Sequence, residues 1–375
     1  MKIIHVFHSY YPVLGGLERV VQRIAEEQAN LRNDVHVITS TYRSDEGPKR
    51  EVLNNVHVLR VKALRLQYPD LTIPREIPYE LLKRADVVHA YSQNSIFNYV
   101  ICQKAKTMNK IIATYFLGID YLRHHHDLVI RLLGYSYQRA ITKKFVQFTS
   151  IPLTTNEYES LLMKKLYGID TYVVPHGVDQ EFLETPPLDR EFLNNYNLEG
   201  RIITYLGRID FMKGIDLLIH AFALVLKEYP DTTLVIAGKG DTTYLRKCLE
   251  LSKKLNIQKK VKYIGPVYGK NKIGLIDAST VIVTPTRATS ESYPLIMDEA
   301  YARGKPIIFS DASKPVAYKT VEEKRGFVFS KNDYRQLAKI IKLLLDGKIE
   351  FEVKKRPLTW KEVALRLLEL YSKAS

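Results

Sequence analysis

Two carboxylates and two cations in this 375-residue chain have the types and spacing to hold a charged, elongated ligand. Glu291 and Glu299 lie eight residues apart in the run Thr284 to Phe309. There an apolar stretch breaks at Pro285, passes through a Thr/Ser-rich turn, and resumes with helical spacing as far as Gly304. The pattern predicts strand, loop, helix and strand, with Glu291 in the loop and Glu299 in the helix. Eight helical residues rise about 12 Å, so one ligand touching both acids must be long. By itself this spacing equally describes a solvated helix with an unrelated acid before it.

The cations are Arg208 and Lys213, in Gly207-Arg-Ile-Asp-Phe-Met-Lys-Gly214, between an apolar run and a helical pattern. A guanidinium can fork onto phosphate oxygens and an ammonium acts as a mobile point charge, so together they would neutralise a diphosphate. Gly238-Lys-Gly240 follows the next predicted strand, where backbone amides can add to an anion site. Near the start, Gly15-Gly16 precedes Leu17, Val20, Val21, Ile24 and Ala25 at helical period. Such a turn allows close backbone approach and points a helix N-terminus at phosphate. Each of these turns also reads as an ordinary tight connection or surface loop.

The elements that must carry these residues alternate. Lys2 to His8, Val35 to Thr39, Val56 to Val61, Asp86 to Ala90, Lys110 to Thr114 and Thr149 to Leu153 read as strands. Ser95 to Thr107 and Tyr121 to Phe145 read as helices, and Thr41 to Arg50 as a polar turn. After Pro186 and Pro187 a second series begins. Its strands are Ile202 to Leu206, Thr233 to Ala237, Val261 to Gly265 and Val281 to Thr284, and its helices are Ile215 to Glu228, Thr243 to Leu255 and Lys270 to Ala278. Repeated strand-helix alternation predicts parallel sheets covered on both faces, with ligands outside the carboxyl ends of the strands. In the first half those ends are Tyr10 to Gly16, Tyr91 to Ser95 and Tyr115 to Asp120.

Length favours two domains. No run of 18 apolar residues occurs, and Met-Lys-Ile-Ile-His-Val enters a strand directly, so a cytoplasmic protein is expected. The two cysteines, Cys102 and Cys248, fall in helices of different halves and read as packing residues. The net charge of +15 divides into +6 over residues 1 to 180 and +9 over the remainder. This even spread, without a basic tail or nucleic-acid motif, argues against nucleic acid and leaves phosphorylated ligands or an anionic membrane surface as partners. Arg123, Arg131, Arg139, Lys143 and Lys144 are interleaved with aliphatic residues between Tyr121 and Phe145. That helix either lies on a membrane or turns a solvated basic back to water. His124, His125 and His126 point in different directions on a helix and cannot converge on one metal ion.

Taken together, these residues resemble the family 4 glycosyltransferases, retaining enzymes of the GT-B fold, collinearly over essentially the whole chain. The resemblance is carried by Gly15-Gly16 with Glu18, Asp86-Val-Val-His, Val174-Pro-His-Gly-Val-Asp179, Leu206-Gly-Arg with Lys213-Gly, Ala237-Gly-Lys-Gly, Tyr263-Ile-Gly265, Glu291 through Glu299 with Ala300, and Leu358-Thr-Trp-Lys-Glu-Val-Ala. It implies two Rossmann-like domains, 1–180 on the acceptor side and 181–357 on the donor side. A cleft separates them, and a C-terminal helix, 358–373, packs back on the first. The donor implied is a nucleoside diphosphate sugar, UDP- or GDP-linked. Arg208 and Lys213 would hold its diphosphate, Glu299 its ribose and Glu291 its hexose, with Gly15 and Gly16 approaching the phosphate. Gly207, Gly238, Gly265 and Leu295 complete the implied donor site.

The acceptor implied is a hydroxyl of a lipid-linked glycan, glycolipid or polysaccharide. No Asp-x-Asp occurs, in keeping with a metal-independent GT-B enzyme without a cofactor. The chain departs from the family pattern at Phe116, where a donor-contacting histidine is usual, at Ser292-Tyr-Pro-Leu in place of Ser-Phe-Gly, and at Ser310-Asp-Ala-Ser-Lys-Pro, which lacks the common glycines. Two alternatives stay open: a GT-B epimerase or phosphorylase, and a nucleotide-sugar-binding protein without catalysis.

Overall fold

Short apolar runs rich in β-branched residues, most of them followed by a helix, assemble into two mainly parallel sheets. In the computed structural model, residues 1–13, 15–41, 49–64, 66, 69–124 and 127–374 are described. The chain divides into a unit comprising Met1–Gly177 and Leu358–Ser375 and a unit comprising Val178–Pro357.

The first unit contains β1 (Lys2–Val6), β2 (Asp34–Ser40), β3 (Arg50–Leu53), β4 (Val56–Val61), β5 (Ala63–Leu64), β6 (Ile73–Pro74), β7 (Val87–Tyr91), β8 (Ile111–Tyr115), β9 (Ile151–Thr154) and β10 (Tyr172–Val173). Eight of them form a sheet in the order β10-β9-β8-β7-β1-β2-β4-β3, while β5 and β6 make a separate pair. Only β3 runs antiparallel in the large sheet. The central strands β1 and β7 are buried almost throughout, as expected where helices cover both faces of a parallel sheet. Phe116 is fully buried in this core, beside Phe97 and Phe145. Its ring is therefore a packing element.

The C-terminal helix Trp360–Ala374 belongs to this unit and packs on the helix Gly16–Asn30. A Cβ at Gly177 would stand 2.6 Å from the Trp360 amide nitrogen, so glycine is needed where the chain passes that backbone. Polar groups secure the seat from inside. Tyr371 hydrogen-bonds His89 Nδ1 at 2.6 Å, and His5 bridges Gln28 and Tyr91 at 2.9 and 3.0 Å. All of these side chains are buried.

The second unit contains β11 (Arg201–Leu206), β12 (Thr232–Ala237), β13 (Val261–Gly265), β14 (Ser279–Thr284), β15 (Ile307–Ser310) and β16 (Gly326–Phe329), ordered β13-β12-β11-β14-β15-β16. Every pairing is parallel. Cys102 and Cys248 are free and buried in separate helices.

Three local expectations need correction. Tyr121 to Phe145 is not one helix. A 3-10 turn, Tyr121–His124, comes first, and helical structure resumes at Leu128 through a π-helical stretch, Ile130–Gly134, into Tyr135–Phe148. The carboxylate of Asp127 marks the restart by accepting the Ile130 amide at 2.9 Å. His125 and His126 lie outside the described residues. The helix Glu157–Tyr167 was not anticipated, although Asn156 caps it and Gly168 ends it at φ 73°. The polar turn Thr41 to Arg50 gives way at Arg50 to strand β3, a four-residue antiparallel edge whose side chains are exposed or half-buried.

Candidate active site

Lys213 is placed by the turn that contains it. The Asp210 carboxylate accepts the Met212 amide at 2.8 Å, which caps a 3-10 turn over Phe211–Lys213, and Gly214 ends that turn at φ 69°. A Cβ at Gly214 would stand 2.1 Å from the Pro285 carbonyl oxygen, so only glycine lets the turn reach the exit of β14. Arg287 then fastens the two segments. Its amide donates to Met212 O at 2.6 Å, and its guanidinium forks onto Asp216 at 2.9 and 2.8 Å and donates to Phe211 O at 2.9 Å. Tyr244 donates to the same Asp216 at 2.5 Å. The result is a direct ion pair between Lys213 and Glu291.

The Glu291 loop is held from a third side by hydroxyls. Ser313 Oγ donates to the Glu291 carbonyl, and Ser310 Oγ donates to the Thr286 carbonyl. The segment that lacks the family's glycines thus supplies side-chain donors. Glu299 sits on the helix Leu295–Ala302 and accepts from Lys272 at 2.5 Å, while the Lys272 ammonium lies 5.6 Å from the centre of the Phe182 ring.

Both acids are therefore half-used. Glu291 gives Oε1 to Lys213 and Glu299 gives Oε1 to Lys272. Their Oε2 atoms are buried without a hydrogen-bond partner, the only such side-chain atoms among the described residues of this unit apart from Thr284 Oγ1. A buried carboxylate oxygen left unpaired is costly, and a ligand hydroxyl is a group that relieves the cost.

The glycines bring backbone together beside these side chains. A Cβ at Gly238 would stand 1.7 Å from Gly207 O, and one at Gly240 would stand 2.1 Å from Ile209 O. The amide of Ile209 donates to Lys239 O at 2.9 Å, and the Gly238 amide donates to Gly265 O at 2.9 Å. Gly265 has φ 75° with open space around it. Arg208 is exposed. Burial, reinforced by the Arg208 charge and opposed by Asp210, pushes the Lys213 ammonium down to about 8. Leu295 opens its helix behind Pro294, which provides no side-chain cap, so the first amides of that helix are not closed by one.

In the first unit, Gly15 precedes the helix Gly16–Asn30, and a Cβ there would meet only the flexible end of Glu18. Gly16 has nothing within 4 Å of an added Cβ, so its own packing imposes no need for glycine. Lys272, Arg287, Asp216, Ser310 and Ser313 were missed from sequence. Their roles arise from contacts between residues 22 to 76 positions apart.

Residues 14–182 match the family Glycosyltransferase Family 4, and residues 190–360 match Glycosyl transferases group 1. The chain belongs to glycosyltransferase family 4. This family 4 chain is 24% identical over 336 residues to D-rhamnosyltransferase WbpZ of Pseudomonas aeruginosa, covering 88% of this chain and 82% of that protein. It is 22% identical over 315 residues to the phosphatidyl-myo-inositol mannosyltransferase of Mycolicibacterium smegmatis, covering 83% and 76%. Among solved structures, Anabaena HepE in complex with UDP matches it with a TM-score of 0.75 at 16% identity, over all of both chains. The two parallel-sheet units are those of the GT-B fold, as in other glycosyltransferases. Among the described residues, no helix is long and apolar enough to cross a membrane.

Proposed function

We propose that this glycosyltransferase moves a hexose from a UDP- or GDP-linked donor to a hydroxyl of a glycan or lipid-linked acceptor, with retained anomeric configuration and without a metal ion. The observation that carries this reading is the pair of half-used acids. Glu291 and Glu299 each keep one buried oxygen free for a donor hydroxyl, and each is held by a lysine. Glu291 takes the hexose hydroxyls and Glu299 the ribose hydroxyls.

In the reaction the anomeric carbon–phosphate oxygen bond breaks and a bond to the acceptor oxygen forms on the same face. The acceptor proton passes to the departing phosphate, so atoms and charge balance without a protein nucleophile. Lys213 and Arg208 neutralise the charge that grows on the diphosphate, helped by the first amides of the helix that starts at Leu295, while Gly207 and Gly238, whose own amides are bonded to Ala237 O and Gly265 O, let the backbone come close. Gly15, Gly16 and Gly265 belong to the same reading as backbone approaches to the donor. The likeness to a protein solved with UDP supports a nucleotide-linked donor. Relatives named for rhamnosyl and mannosyl transfer support a hexose or deoxyhexose, and one of them is named for a phosphatidylinositol acceptor. The reading also places the protein at the inner face of the cell membrane, in peripheral contact with anionic lipid.

The test is incubation with UDP- and GDP-hexoses, with and without glycan and glycolipid acceptors, followed by NMR of the product. An acceptor-dependent product with the donor's anomeric configuration is expected. Sugar interconversion without acceptor, transfer to inorganic phosphate, or nucleotide binding without turnover would each overturn the reading.

A further inference from the structure

Leu128, Val129, Leu132 and Leu133 are 57%, 63%, 61% and 70% exposed, four large aliphatic side chains within six positions. In a helix these positions, i, i+1, i+4 and i+5, share one face. Surface helices normally turn that kind of face inward. Here the inward side is otherwise occupied, because Ile130 is half-buried and Gly134 lies against Leu122. The start of the helix is also fixed, with Asp127 accepting from Ile130 and Arg131 at 2.9 Å each. The apolar face is thus presented on ordered backbone.

Its surroundings are cationic. Residues 120–148 contain Arg123, Arg131, Arg139, Lys143 and Lys144 against two acids, Asp127 and Asp120, the latter 3.7 Å from Arg123. Arg123, Arg131, Lys143 and Lys144 are exposed. A second copy docking on this face would bring like charges together, whereas an anionic lipid surface satisfies both features at once.

We infer that the helical segment Leu128–Leu133 is a membrane-insertion element. Its four aliphatic side chains enter the headgroup–acyl boundary of an anionic bilayer, and Arg123, Arg131, Lys143 and Lys144 engage lipid phosphates. The inference deepens the reading of a membrane-presented acceptor and rests on it for its purpose, though the binding itself does not involve the donor site.

The experiment uses the full chain with vesicles of phosphatidylcholine alone or mixed with phosphatidylglycerol. Wild type should co-sediment with the mixed vesicles and weakly with the neutral ones, and the difference should shrink as salt is raised. The double variant Leu132→Ser/Leu133→Ser should lose at least about tenfold in partitioning while keeping its Tm, since both side chains already face water. Arg131→Glu should reduce the preference for phosphatidylglycerol. An environment-sensitive fluorophore on Leu132→Cys should shift to the blue with mixed vesicles only. Native Cys102 and Cys248 are buried and will not compete for the label.

Equal partitioning of wild type and the double variant, or no spectral shift, would overturn the inference. A double variant that converts a wild-type oligomer to monomer would assign the face to a second copy instead. Thermal shift with UDP and GDP in parallel separates the two proposals: vesicle binding without nucleotide binding would sink the donor reading and leave this one standing.

Discussion

Lys319 donates a 2.5 Å hydrogen bond to the hydroxyl of Tyr293 inside the second unit. The Tyr293 hydroxyl in turn donates to Asp298, which is paired with Arg325. Lys319, Tyr293 and Asp298 are all buried. Tyr293 stands where the family commonly has phenylalanine, so the departure from pattern comes with its own polar partners. Tyr293→Phe would restore the common residue and leave Lys319 and Asp298 each short of one bond. The expected loss is about 1–3 kcal/mol, read as a fall of roughly 2–9 °C in Tm. An unchanged Tm would show that the hydroxyl contributes nothing.

Lys213→Ala tests the cation assigned to the leaving group. Turnover at saturating donor should fall at least about tenfold, which corresponds to about 1.4 kcal/mol. Lys213→Arg, with a bulkier head beside Glu291, should restore only part of it. Wild-type turnover in Lys213→Ala would remove Lys213 from the mechanism.

Lys213 also sets a pH limit. Its folded-state value, about 8, is below the usual 10.5, so the charge is present below pH 8 and lost as pH rises through it. Donor affinity should decline along the same limb. Glu291 favours the charged lysine by contact, so Glu291→Gln should move the limb to lower pH, besides weakening hexose binding. Calorimetric titration of a UDP- or GDP-sugar from pH 7 to 9.5 reads both effects, and a limb that stays put in Glu291→Gln would contradict the pairing.

The first unit should be acid-labile. Burial lowers His5 and His8 to about 4 and His89 well below 6.5, so the folded state resists the protons that the unfolded chain accepts. Depressed values mean stability that is complete above pH 6.5 and lost as pH falls from there toward 4. Each histidine contributes a slope of roughly 1.4 kcal/mol per pH unit in that window. Urea midpoints should drop between pH 7 and 5, and a flat profile would be inconsistent with neutral buried rings.

Much of this was legible because burial on both faces of a strand leaves uninterrupted apolar runs. Thr233 to Ala237 and Val281 to Thr284 were read directly in this way. Glu291 and Glu299 were legible as chemistry, and Arg208, Lys213 and the glycine turns gave them a context. Their partners were not. Lys272 looks like any helix-surface lysine until its helix packs beside Glu299, and Ser313 was noticed only for not being glycine. The break before Leu128 hinged on Asp127, whose capping role competed with an unbroken apolar-basic pattern and won. Helix Glu157–Tyr167 had its Asn156 and Gly168 signals in plain view.

The ion pair between Lys213 and Glu291 has one more consequence under the proposed chemistry. Lys213 can serve either Glu291 or a donor phosphate, so an anion that takes Lys213 leaves the Glu291 carboxylate without its partner. A whole nucleotide sugar brings the hydroxyl that receives it, and the spent nucleoside diphosphate does not. Under that chemistry Glu291 would compete with the spent diphosphate for Lys213 and so favour departure of the product.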